Sequence, residues 1–120
     1  MSGLSSHVLD TALGQPARDL RLRLDLQIGV AGQAIVAGEG WRQVATGMTN
    51  ADGRVADVLG GAPLELGIYR LTFETGPYFR ATGQLVFYPW VEVIFAVTAA
   101  QHHHIPLLLS PFGYTTYRGS

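Results

Sequence analysis

Four histidines carry most of the acid–base capacity this sequence offers near neutral pH, because it contains no cysteine. His7 sits in the stretch Leu4-Ser5-Ser6-His7-Val8-Leu9-Asp10, and its bland reading is a histidine on the surface of a strand. His102, His103 and His104 run together before Ile105-Pro106, with sixteen residues still to follow, so they are not the remnant of a terminal tag. In an extended segment, alternate side chains point to opposite faces; His102 and His104 share one face and His103 takes the other. Two imidazoles so spaced could begin a zinc site, but a catalytic zinc normally takes three protein ligands, and only folding could bring His7 up as the third. Arg54 directly follows Asp52-Gly53. It is either an ordinary solvated arginine or a planar fork able to hold an anionic substrate through two parallel hydrogen bonds.

The usual catalytic signatures are missing. There is no Gly-x-Ser-x-Gly, no His-Glu-x-x-His and no phosphate loop; Gly38-Glu39-Gly40 lacks the third glycine of a dinucleotide fingerprint. The nine carboxylates are scattered and show no pair for glycoside chemistry. All eight basic residues are arginine, and the net charge of −1 gives no electrostatic case for nucleic acid or an anionic membrane. Without cysteine, disulfides, thiolate catalysis and Cys-ligated zinc are excluded. The opening residues lack a basic segment followed by an apolar run, and the most apolar window, Val91 to Ala100, is interrupted by Glu92 and too short to span a bilayer. A soluble cytoplasmic protein is expected.

The elements that must position these residues read as short strands. Leu20, Leu22, Leu24, Leu26 and Ile28 alternate with Arg21, Arg23, Asp25 and Gln27, a period of two with one apolar and one wet face. A slip of one residue would bury two arginines, so the pattern fixes the register. Leu4–Leu9, Trp41–Met48, Gly67–Glu74, Trp90–Thr98 and Tyr114–Arg118 also read as strands. Turn signals separate them at Gly14-Gln15-Pro16, Asn50-Ala51-Asp52-Gly53, Gly60-Gly61 and Ser110-Pro111-Phe112-Gly113. Pro77 to Thr82 predicts one or two helical turns ended by Gly83. Pro106 conflicts with a regular central strand, because it cannot donate to a ladder; the strand is either irregular there or lies on an edge. The 120 residues, 48% hydrophobic and 14% charged, describe one folded domain over residues 1–120, an all-β antiparallel sandwich. The low charged fraction also hints that a partner covers part of the surface.

From His102 to Ser120 the chain reads HHHIPLLLSPFGYTTYRGS, which closely resembles the carboxy-terminal signature of the 5-hydroxyisourate hydrolases. Those enzymes end in Tyr-Arg-Gly-Ser, as Tyr117-Arg118-Gly119-Ser120 does. Leu4 to Ala17 is similar to the family's opening strand and turn, and Thr49 to Arg54 and Phe73 to Phe79 also match, so the resemblance spans essentially the whole chain. It implies a transthyretin-like sandwich of two four-stranded sheets with one short helix, assembled as a homotetramer whose central channel holds the active sites at its mouths. It implies hydrolysis of 5-hydroxyisourate to 2-oxo-4-hydroxy-4-carboxy-5-ureidoimidazoline without cofactor or metal. Matched by position, the catalytic set falls on His7, Arg54, His104 and Ser120, with His7, Arg54 and Tyr117 contacting substrate. His103 departs from the family, which commonly has tyrosine there. A transthyretin-like carrier of small molecules, without turnover, is the alternative.

Overall fold

The alternation around Arg23 becomes a strand in the computed structural model, which describes residues 3–28 and 40–120. Numbered along the chain, the strands are β1 (Leu4–Asp10), β2 (Gln15–Pro16), β3 (Arg21–Gln27), β4 (Trp41–Met48), β5 (Arg54–Val55), β6 (Gly67–Phe73), β7 (Val91–Val97), β8 (His103–Ser110) and β9 (Gly113–Thr116). The one helix among the described residues, α1 (Thr75–Ala81), lies between β6 and β7. Two sheets form, ordered β2-β1-β8-β9 and β4-β3-β6-β7, with β5 also pairing β1. The first sheet therefore has five strands where four were expected. β5 pairs Ser6 and His7 while β2 pairs Leu9 and Asp10, so two short strands share the position beside β1. Their two-residue lengths are too short to carry a period, which is why only turns were legible there.

The inward residues of both sheets close the core. Leu4 and Val8 of β1, Leu22 and Leu24 of β3, Leu71 and Phe73 of β6, and Leu107 and Leu109 of β8 are fully buried. Burial of each such side chain stabilises by roughly 1.5–3 kcal/mol before chain entropy is subtracted. Asp25, expected on a wet face, is buried instead: β3 shifts register between Leu24 and Asp25, and the carboxylate receives Arg70 at 2.9 Å and Arg23 at 3.3 Å. The helix starts two residues before its expected position, because Pro77 sits in the first turn, where backbone N–H groups have no helical partner to lose. Gly83, at φ 71, ends the helical segment as expected. Tyr78 of the helix closes one end of the sandwich, its hydroxyl donating to the buried Asp10 carboxylate at 2.6 Å. No helix among the described residues is long and apolar enough to cross a membrane.

β1 and β8 pair in parallel along seven residues, from Leu4↔His103 to Asp10↔Leu109. This is a central pairing, so Pro106 does not lie on an edge; the ladder is irregular there instead. β8 and β9 pair from Ser110↔Gly113 to Leu107↔Thr116 and then stop. The next bond in sequence would need an N–H from Pro106, which has none. The Thr116 hydroxyl donates to the Pro106 carbonyl at 2.7 Å in place of a backbone group. Pairing resumes only as an isolated bridge between His104 and Gly119. The last strand accordingly ends two residues before the expected Tyr114–Arg118 does, and Tyr117 and Arg118 leave the sheet.

Candidate active site

β1, β5 and β8 bring the candidate residues to one end of the first sheet, on the face turned away from the core. Ser5 pairs with His104, and His7 pairs with Pro106 on one side and Arg54 on the other. Leu4 and His103 alternate inward, which turns Ser5, His7 and His104 outward together.

Arg54 is held by the turn before it. The Asn50 side-chain carbonyl accepts from the backbone N–H of Asp52 at 2.9 Å and of Arg54 at 3.0 Å. Gly53 has φ 71, and a Cβ there would stand 2.5 Å from the Val8 carbonyl; the turn can press against β1 only because it has no side chain. Val8 N–H in turn donates to the Gly53 carbonyl at 2.8 Å. The same turn supplies His7 with a partner, the backbone of Asp52. Burial, and then the Arg54 guanidinium, hold the His7 imidazole below the ordinary histidine value.

His104 is fixed from two sides. Its Nδ1 lies 2.7 Å from the Ser5 hydroxyl, which is also 2.8 Å from Nε2 of His102. From the other direction, Gly119 N–H donates to the His104 backbone carbonyl at 2.8 Å. Gly119 fits so tightly that a Cβ on it would overlap Cδ2 of the imidazole and stand 3.1 Å from Cγ. Burial, then the charges of Arg54, His7 and His102, hold His104 below the ordinary value. Two low-affinity imidazoles beside a guanidinium form a site that keeps its bases neutral and its cation charged at neutral pH.

Arg54, His104 and Ser120 line a common cleft of about 320 Å³ with Ser5 and His102. His7 is not among its lining residues, and neither is Tyr117. Released from the sheet, it lines a separate cavity of about 230 Å³ with Val93, Phe95, Ile105 and His103. His103 is buried in that second cavity, and its Nδ1 lies 2.8 Å from the Gln101 carbonyl. A carbonyl only accepts, so this nitrogen carries the proton. Among the described residues no three His, Asp or Glu side chains converge as a metal set. Between His102 and His104, where a bridging ion would stand, lies the Ser5 hydroxyl. A larger concavity, about 800 Å³, covers the outer face of the other sheet. Its arginines outnumber its acids, with Arg21 paired to Glu74 at 3.4 Å, but no histidine lines it, so the acid–base chemistry belongs to the smaller cleft.

Ser5, His102 and Gly119 are the additions that sequence reading missed. The shared face of His102 and His104 was legible, but nothing in the sequence said that Ser5 would face them across a parallel ladder.

The chain belongs to the HIUase/Transthyretin family, whose pattern it matches over residues 4–119. It is 46% identical over 120 residues to the 5-hydroxyisourate hydrolase of Mus musculus, covering 99% of this chain and 96% of that one. Among solved structures, it resembles Klebsiella pneumoniae 5-hydroxyisourate hydrolase at 37% identity and TM-score 0.81, with both chains covered in full. It also resembles sea bream transthyretin, solved in complex with thyroxine, at 32% identity and TM-score 0.82, covering 98% and 94% of the two chains.

Proposed function

We infer that this chain is a 5-hydroxyisourate hydrolase of urate degradation, acting as a single domain over residues 1–120 in the cytoplasm. The observation that carries the reading is the cleft shared by Arg54, His104 and Ser120, with His7 paired beside Arg54, in a chain similar along its length to hydrolases of that substrate.

The reaction adds water to a ring carbonyl and breaks the adjoining C–N bond. We assign the base to His104, because Ser5 occupies Nδ1 and leaves Nε2 for the attacking water. Arg54 stabilises the negative charge that grows on the carbonyl oxygen, a role that elsewhere contributes ~2.7–4 kcal/mol per donor. His7, tied to the Asp52 backbone, orients substrate or water. Ser120 lines the cleft with Arg54 and supplies a hydroxyl, and Tyr117 approaches the substrate when neighbouring subunits close the site. No cofactor or metal takes part.

A homotetramer fits the surface. Phe87, Trp90, Ile94 and Phe112 are each more than half exposed, and among the described residues β7 and β9 are sheet edges. The likeness to a thyroxine-bound transthyretin favours a second reading, a carrier that binds small molecules without turnover.

One assay separates the two. Urate oxidase converts urate to 5-hydroxyisourate, and the ultraviolet absorbance of that intermediate is followed with and without the chain, dialysed beforehand against a strong chelator. Faster loss is the expected result. Loss at the spontaneous rate would favour the carrier, and activity that vanishes on chelation and returns with zinc would overturn the metal-free mechanism.

A further inference from the structure

The imidazoles of His102 and His104 are joined through a single hydroxyl, with Ser5 Oγ at 2.8 Å from His102 Nε2 and 2.7 Å from His104 Nδ1. A hydroxyl has one proton to donate. Of the two imidazoles, one therefore receives that proton and the other gives its own to the oxygen. The chain is directional and has two settings. In the first, His104 donates from Nδ1 to Ser5, Ser5 donates to His102 Nε2, and His104 Nε2 is bare. In the second, every proton has moved one place along, and His104 carries its proton on Nε2.

We propose that Ser5 and His102 form, with His104, a proton relay that carries the charge gained during water addition away from Arg54 and returns it when the C–N bond breaks. Ser5 and His102 are positioning residues, since they act through His104 and do not touch the reacting atoms. The proposal rests on the hydrolase reading and on His104 as its base.

The first setting is the one ready to react. The Ser5 backbone is a further acceptor for the His104 ring, which favours a proton on the side facing Ser5. As the oxygen of water bonds to the carbonyl carbon, its proton goes to His104 Nε2. A cation there would face Arg54 on β5 and His7 on β1, beside the cleft wall that ends in Ser120. Its position is electrostatically poor, with the guanidinium as near neighbour. The Nδ1 proton passes to Ser5 as the Ser5 proton passes to His102 Nε2, and the charge comes to rest on His102, which is solvent-exposed. When the C–N bond breaks, the transfers run backward, and the Nε2 proton of His104 goes to the departing nitrogen. The relay ends in its starting setting. The new carboxylic acid then loses its own proton to solvent, so atoms and charge balance over the cycle.

The expected behaviour of variants differs from that of a structural contact. His102→Ala and Ser5→Ala should each lower kcat about tenfold, a modest share of the 10²–10⁴ that positioned acid–base groups contribute, with KM little changed. Ser5→Thr, which keeps the hydroxyl, should restore most of the rate. The deciding measurement is the double variant: once Ser5 is gone, His102 is disconnected, so Ser5→Ala/His102→Ala should be no slower than Ser5→Ala alone. Parental kcat in His102→Ala, or a His102 effect undiminished in the Ser5→Ala background, would overturn the relay. His104→Ala is measured alongside. If it is inactive while His102→Ala is normal, only the relay fails; if His104→Ala keeps full activity, the base assignment fails and the relay with it.

Discussion

Replacing Gly119 by alanine tests whether the closeness of the chain end to His104 matters for chemistry. Gly119 is not among the glycines with positive φ, so alanine meets no backbone objection there. The obstacle is spatial. The new Cβ would overlap Cδ2 of the imidazole and press on its Cγ and Cβ, at 3.1 and 3.3 Å. Two reliefs exist. Turning the imidazole off its rotamer costs about 0.5–1.5 kcal/mol and strains the Ser5 bond to Nδ1. Lifting the chain end instead forfeits the Gly119–His104 backbone bond, worth roughly 0.5–1.5 kcal/mol, and takes Ser120 out of the cleft. Either way stability changes by no more than about 1.5 kcal/mol, whereas a base misplaced by about 1 Å loses on the order of 10²-fold in rate. The expected variant melts near the parent and shows a kcat/KM about a hundredfold lower in the urate oxidase-coupled absorbance assay. A Gly119→Ala protein with parental kcat/KM would refute the claim that the terminus sets the His104 geometry.

Four further outcomes are expected. Deleting Gly119 and Ser120 removes little apolar surface and one backbone hydrogen bond, so denaturant stability should change by no more than about 1.5 kcal/mol while activity falls at least about tenfold; full activity would remove Ser120 from the site. His7 and His104 are both held below the ordinary histidine value, so both are neutral at neutral pH. A base is lost as pH falls through its own pKa, and kcat/KM should therefore decline only on the acid side; a limb centred above about pH 7 would contradict this. Burial alone would raise the pKa of Asp10, but hydrogen bonds from the Tyr78 hydroxyl, the Leu13 and Ala12 backbones and the Gln84 amide outweigh it and hold the carboxyl low. Tyr78→Phe should cost about 1.5–3 kcal/mol at neutral pH in urea titration, with the difference shrinking as Asp10 is protonated in acid; a loss below about 0.5 kcal/mol would deny the bond its role. Light scattering should give close to four times 12.9 kDa, and an active monomer would refute a site completed by neighbouring subunits.

The strands that bury one face were legible in the sequence because burial imposes a period: the leucines of β3 and the alternation of β1 specify which side chains go inward. The short strands β2 and β5 were not, since two residues carry no period and their position depends on β1 as a template. Asp25 was misread because a register shift and two arginines, one from the neighbouring strand β6, allow a carboxylate to be buried on a face that reads as wet. At the site, residue types and the family signature singled out His7, Arg54, His104 and Ser120. The Ser5 bridge was not readable, because it depends on which strand pairs with β1, in which direction and in which register. Pro106 marked the right place from sequence; only the structure resolves that it interrupts one ladder of a central strand.

The parallel pairing of β1 with β8 also has a temporal side. The Ser5–His104 and Ser6–Ile105 contacts each join residues 99 apart in sequence. Synthesis proceeds from the amino end, so β1 emerges long before its partner β8 exists, with only the two-residue strands β2 and β5 to pair with in the interval. Closing a loop of that length early is entropically opposed, and such distant pairings slow folding. The cleft therefore forms among the last features of the molecule, and a ribosome that stops near residue 100 releases a chain holding His7 and Arg54 but no partner for them. Catalytic activity during refolding should return with the slowest phase, after most of the β-sheet signal, making turnover a readout of the finished chain.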